Sequence, residues 1–147
     1  SCANDSFHDG SKIKVGNIEL PACHSPGLAV DSYCFHLEHK GQQYLFTGDT
    51  LLIRGTGRTD FQNGSATDQY SSLFDKLLKL PEDTWIYPAH DYKGWMVSTI
   101  GEEREHNPRL QVKDVVEYKN IMDNLNLPNP KMMDVAVPAN RACGNLV

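Results

Sequence analysis

The sequence predicts one layered α/β or α+β domain over residues 1–147, and three observations carry that prediction. Strand-like runs crowd the first third of the chain. At Ser65 the apolar period changes from two to about 3.6. Beyond it, one short buried strand, "TWIYP", stands between helical segments. Strands first, then helices and single strands mixed, is the order of a layered domain. A length of 147 residues is one domain's worth, and such a chain can bury roughly 70% of its unfolded surface.

Taken in order, "KIKVGNIELPACHS" reads as two short strands around Gly16-Asn17. "DSYCFHLEHKGQQYLFTGD" reads as a hairpin, Ser32 to Leu37 and Gln43 to Thr47, turning near Lys40-Gly41. From Ser65, residues Tyr70, Leu73, Phe74, Leu77 and Leu78 form one helical face, capped by Ser65 with Asp68 and ended at Leu80-Pro81. "TWIYPAHDY" is a strand that empties into a loop at Pro88. "STIGEEREHNPR" opens a helix with Thr99 and Glu102 as its cap pattern. Val115, Tyr118, Met122 and Leu125 mark a further amphipathic helix. The proline-rich tail "LPNPKMMDVAVPAN" is expected to pack in extended form. No internal repeat, low-complexity stretch or linker divides the chain.

Charge narrows the function classes. Against 14 basic residues stand 19 acidic ones, a balance that argues against a nucleic-acid footprint. No apolar run approaches the roughly 18 residues of a membrane span. The opening "SCANDSFHDG" lacks the basic-then-apolar layout of a signal peptide. Cys2, Cys23, Cys34 and Cys143 show no CxxC spacing and are read as free thiols in a reducing compartment.

Three loops hold the chemistry-bearing residues. Asp49 follows "YLFTG", where Gly48 lets the backbone bend at the strand end. A carboxylate there suits a metal or catalytic position, and equally a turn. His90, in "YPAHDY", also follows a strand and has Asp91 and Tyr92 as neighbours, the material of a metal's inner and outer ligand shells. Arg54 and Arg58 flank "GTG". Their planar forks suit a carboxylate or phosphate, or a salt bridge from Arg58 to Asp60.

Four stretches occur together and in order: "FTGDTLLIRGTGRTDFQNG", "IYPAHDYKG", "STIGEEREHNPRL" and "IMDNLNLPNPKMMDVAVPAN". They resemble the C-terminal half of the persulfide dioxygenases, the sulfur dioxygenase branch of the metallo-β-lactamase superfamily. The resemblance covers about residues 24 to 147. It implies an αββα sandwich, of which this chain supplies roughly the C-terminal half. It further implies one Fe(II) per subunit, held by two histidines and an aspartate, the ligand set of non-haem iron oxygenases. The implied reaction takes glutathione persulfide and O₂ to sulfite and glutathione. Asp49 matches the aspartate ligand, and His90 matches the superfamily's second-metal histidine. Tyr92 and Arg58 match residues that face the substrate, with Arg54 on the same loop. The implied setting is a bacterial cytoplasm or the mitochondrial matrix.

Two departures qualify the resemblance. The family's H-x-H-x-D-H signature is absent from these 147 residues. The family's S/T-P-G-H-T-x-G reads here "SPGLAVDS", so Leu28 stands where the second iron histidine is expected. His24, four residues upstream, is the candidate replacement. His36 and His39 read as solvated hairpin residues, and Thr56 stands where the family often has cysteine. The chain alone is therefore expected to bind iron poorly. The apolar sheet face left by half a sandwich predicts a homo-oligomer, a swapped assembly or a missing N-terminal half. The competing readings are a glyoxalase II-type thioester hydrolase and a non-catalytic superfamily domain that binds a glutathione-like ligand or a partner.

Overall fold

A computed structural model describes residues 3–61 and 63–144. The first hairpin joins β1 (Lys12–Val15) to β2 (Ile18–His24) through Gly16, whose φ is 61°. The second joins β3 (Tyr33–His39) to β4 (Gln42–Gly48). Its turn residues Lys40 and Gly41 both have positive φ, 51° and 79°, the combination that matches a tight turn to the right-handed twist of the strands. After β4 come the short strands β5 (Leu51–Leu52) and β6 (Gly55–Thr56), paired only with each other. Helix α1 (Ala66–Ser71) continues through a π turn, Ser72–Lys76, and a 3₁₀ turn, Leu77–Lys79. It carries the chain over to β7 (Trp85–Pro88), which pairs parallel with β4. The edge strand β8 (Ser98–Thr99) leads directly into α2 (Ile100–His106), followed by α3 (Val115–Asp123) and α4 (Met133–Arg141). The large sheet is six-stranded, in the order β1-β2-β3-β4-β7-β8.

The sequence-read caps form. Ser65 Oγ accepts from the Asp68 N–H at 3.1 Å, and Thr99 Oγ1 accepts from the Glu102 N–H at 3.1 Å. Alternation along the strands sends Cys34, Leu45 and Ile86 to one face, where Leu73, Leu77, Leu78, Ile100, Tyr118 and Met122 close the core. The opposite face collects Phe35, Leu37, Tyr44, Phe46, Trp85 and Tyr87 by strand register. Phe46, Trp85 and Tyr87 on that face are exposed. Apart from the two-stranded β5–β6 pair, the described residues thus form one large sheet with helices against one side, half of the four-layer arrangement.

Two expectations are corrected. The tail is not extended: after Pro128 and Pro130 it turns into α4, which contains Pro138 and buries none of its residues. Pro128 and Pro130 precede the helix, and Pro138 within it removes one backbone N–H donor, which is why the proline content points away from a helix. The reading of four free thiols fails at Cys143, which is disulfide-bonded, while Cys23 and Cys34 are free. Cysteine pairing follows distance in the fold, which spacing along the chain does not encode. Cys2 lies outside the described residues.

Beneath the sheet, the fully buried Tyr118 hydroxyl donates to Gln69 Oε1 at 2.7 Å and lies 3.3 Å from Thr56 Oγ1. Burial pushes the phenol up to about 12, and the Thr56 contact and the Arg109 guanidinium only partly oppose it. The unfolded chain releases this proton near 10, before the folded protein does. Stability is therefore intact below that pH and falls as pH rises toward about 12. Urea unfolding across this range should show the decline. Tyr118→Phe should flatten it, leaving the slope contributed by Cys34, whose thiol burial pushes up to about 11.

Candidate functional site

Strands β4 and β7 run parallel and side by side, so their C-terminal ends open at the same edge, where α/β proteins place their sites. Gly48 takes φ 52°, and its carbonyl accepts from the Ala89 N–H at 2.9 Å, which aligns the two strand ends. Asp49 and His90 follow immediately. His90 Nδ1 donates to Asp49 Oδ1 at 2.6 Å, with the histidine exposed and the aspartate half-buried. In the neutral ring, a proton on Nδ1 engaged in this bond leaves the lone pair on Nε2. Tyr92 lies 84% exposed, its ring within 10° of parallel to that of His90 at a centroid distance of 6.4 Å. Asp91 ties down the loop instead of entering the site. Its carboxylate accepts from the N–H groups of Lys93 (2.9 Å) and Trp95 (2.6 Å). Desolvation works to raise this carboxyl, but the backbone donors of Lys93, Trp95, Gly94 and Tyr92 together hold it below the usual range.

Leu28 reaches the same place from the loop between β2 and β3. A Cβ at Gly57 would lie 2.2 Å from the Asp49 carbonyl oxygen and 3.2 Å from Leu28 Cδ1. Only a residue without a side chain lets the Asp49 turn, the Gly57 backbone and Leu28 converge this closely. An apolar side chain thus packs beside the Asp49 turn, and it cannot donate to a metal.

Three sequence-predicted site residues are placed elsewhere. His24 Nε2 donates to the Val30 carbonyl at 2.8 Å, and its ring packs against Tyr33 at 4.9 Å. It closes its own loop and does not join Asp49 and His90, which corrects the replacement-ligand reading. Arg54 turns toward acidic partners of its own fold. Its guanidinium binds Glu102 and, at 2.5 Å, Glu103 Oε1, with Trp95 stacked 5.4 Å from it. Arg58 is spent in the same way. Its Nε and Nη2 hold Asp60 at 2.6 and 2.7 Å, Nη1 donates to the Pro128 carbonyl at 2.9 Å, and the group lies over Phe61. The salt-bridge alternative for Arg58 is the one the structure adopts.

Asp49 and His90 are therefore the ligand-type residues that meet here. Among the described residues, no three His, Cys, Asp or Glu side chains are arranged to hold a metal ion. Two donors hydrogen-bonded to each other, with a leucine alongside, do not fit a three-ligand iron centre. Sequence reading also missed Glu103. It is fully buried beneath this loop, three residues after Ile100 and four before Asn107, so helix spacing puts it on the inner face of α2 and Glu102 off it, a signal that its charge disguises.

A profile described as the metallo-beta-lactamase superfamily matches residues 7–90. The chain belongs to that superfamily. It is 50% identical over 138 residues to the mitochondrial persulfide dioxygenase ETHE1 of Homo sapiens, covering 94% of this chain and 53% of that protein. To the Mus musculus counterpart it is 49% identical over 136 residues, covering 92% and 52%. The crystal structure of ETHE1 from Myxococcus xanthus superposes with a TM-score of 0.90 at 50% identity, covering 99% of this chain and 63% of that one. The chain spans about half the length of the curated relatives it matches. Membership implies metal binding, and a related fold at TM-score 0.58 and 26% identity is described in a di-iron-bound form.

Glu103 anchors the loop that leads from Asp49 toward Gly57, so its removal tests how that loop is held. Glu103→Ala leaves the Arg54 guanidinium without its buried partner and should cost about 3–5 kcal/mol in denaturant unfolding. Glu102→Ala, at the exposed end of the same guanidinium, should cost under about 1 kcal/mol.

Proposed function

We propose that this chain serves a persulfide dioxygenase, oxidising glutathione persulfide with O₂ and water to sulfite and glutathione. The observation that carries the proposal is the Asp49–His90 pair at the joint end of β4 and β7, in a chain half identical to two persulfide dioxygenases. In this reading Asp49 is the carboxylate ligand of Fe(II), His90 sits beside it, and the exposed Tyr92 faces the substrate. The clamp for glutathione is neither Arg54 nor Arg58, since both forks are already bonded within the fold. The two donors present do not retain iron against water. The remaining ligands must come from residues beyond these 147, in a longer chain or on a second polypeptide. The mitochondrial matrix is the proposed setting, after the mitochondrial relatives, with a bacterial cytoplasm as the counterpart.

One observation favours a second reading. Leu28 beside the Asp49 turn suits a superfamily domain that has given up its metal and binds a glutathione-like ligand or a partner. A thioester hydrolase of the glyoxalase II type is less well supported, because a dinuclear centre needs more ligands still.

Metal analysis with a sulfite assay separates these readings. The 147-residue chain should retain iron well below one equivalent and form little sulfite from glutathione persulfide. Leu28→His, which adds a donor beside Asp49, should raise retained iron severalfold, and Leu28→His with Asp49→Ala should abolish the gain. Stoichiometric iron and vigorous sulfite formation by the unmodified chain would overturn the ligand count. No gain in the Leu28→His protein would favour the non-catalytic reading.

A further inference from the structure

Cys23 and Cys34 are the two free thiols among the described residues, and they stand directly opposite each other on β2 and β3. Opposed residues of an antiparallel pair project to the same sheet face. Here that face is the helix-covered one: Cys34 belongs to the buried core and Cys23 packs against it. The Ser25 N–H donates to Ser32 O at 2.9 Å. That makes Ser25 and Ser32 a hydrogen-bonded pair, and by the alternation of the ladder Cys23 and Cys34, two residues on, are another. Such a pair has Cα atoms about 5.5 Å apart, within the usual disulfide range. Its Cβ atoms lie about 4.5–5.5 Å apart, somewhat wider than a relaxed disulfide prefers.

We infer that Cys23 and Cys34 form a dithiol site that low-molecular-weight disulfides oxidise to a reversible cross-strand disulfide. Exposure assigns the roles. Cys23 is half-buried and reachable, whereas Cys34 is fully enclosed. The Cys23 thiolate attacks one sulfur of glutathione disulfide, forming a Cys23–glutathione mixed disulfide and releasing one glutathione thiolate. The Cys34 sulfur then attacks Cys23 Sγ, forming the Cys23–Cys34 bond and expelling the second glutathione as thiolate, which takes up the Cys34 proton. Both protein thiols are oxidised, and one disulfide is reduced to two thiols. The wide Cβ spacing strains the product, and strained disulfides are the readily reduced, labile ones. Reduced Cys34 Sγ touches Ser25 Oγ at 3.2 Å and the Thr47 carbonyl at 3.6 Å, and Ser25 Oγ touches Thr50 Oγ1 at 3.4 Å. Oxidation draws that sulfur away from groups that brace the turn carrying Asp49. The inference stands on strand register and does not depend on the proposed reaction.

The test is to incubate the folded chain with glutathione disulfide and to map peptides by mass spectrometry without reduction. The expected result is a peptide linking Cys23 to Cys34, with loss of both free thiols and their recovery on adding excess reduced glutathione. Cys34→Ser should halt the reaction at a Cys23–glutathione adduct. Cys23→Ser should leave Cys34 unmodified. A wild-type protein that stops at the Cys23 adduct, or that reacts at neither cysteine, overturns the inference. So does modification of Cys34 in the folded Cys23→Ser protein. The wild-type map decides the question even where a serine at the buried position impairs folding.

Discussion

The buried carboxylate of Glu103 is the constraint on which the arrangement above the sheet depends. It is fully enclosed, and its oxygens accept from the Arg54 N–H at 2.7 Å, Arg54 Nη1 at 2.5 Å, Ser98 Oγ at 2.7 Å and Asn107 Nδ2 at 2.9 Å. A buried charge is tolerable only when its lone pairs are matched in this way. Those four donors come from the loop after β5, from β8 and from the residue that ends α2. One side chain thereby joins the helix, the sheet edge and the loop. The cost shows in the backbone, since Arg54 takes φ 58°, a region that side chains other than glycine seldom enter. Asn107 extends the hold by donating to the carbonyls of Leu52 and Gly55.

The anchored loop fixes where its two arginines point. Arg54 faces inward to satisfy Glu103, and Arg58 is drawn to Asp60 and to the carbonyls of Leu127 and Pro128. The second set fastens the segment after α3 to the loop, so the two arginines work as staples on either side of Gly55, Thr56 and Gly57. From beneath, Gln69 Nε2 donates to the Gly57 carbonyl at 3.2 Å, and Gly27 packs so tightly on Gln69 that a Cβ there would lie 2.3 Å from Gln69 Cβ. The Leu28 loop and the Asp49 turn are consequently set by the same helix. The site is well positioned but short of donors.

Most of the elements were legible in the chain, because their signals are local. Both hairpin turns carry glycine where positive φ is required, Ser65 and Thr99 precede helices as caps, and the face from Tyr70 to Leu78 has helical spacing. The convergence of Asp49 and His90 was also legible, since each follows an apolar strand. The α4 helix was not. Its prolines point away from a helix, and no buried face gives it a periodic signature.

By itself, then, the sequence determined the strand and helix order, the two loops that bear Asp49 and His90, and the leucine where a histidine was expected. Each of these is written in residues close together along the chain. Tertiary structure alone decided what the charged groups do. Arg54 could have met a ligand's carboxylate as well as Glu103, and Arg58 a substrate as well as Asp60, because a guanidinium binds any carboxylate that the fold brings within reach. The pairing of Cys23 with Cys34 likewise exists only in the register of β2 on β3. Which groups become neighbours depends on packing across distant segments, and composition and spacing carry no record of that distance.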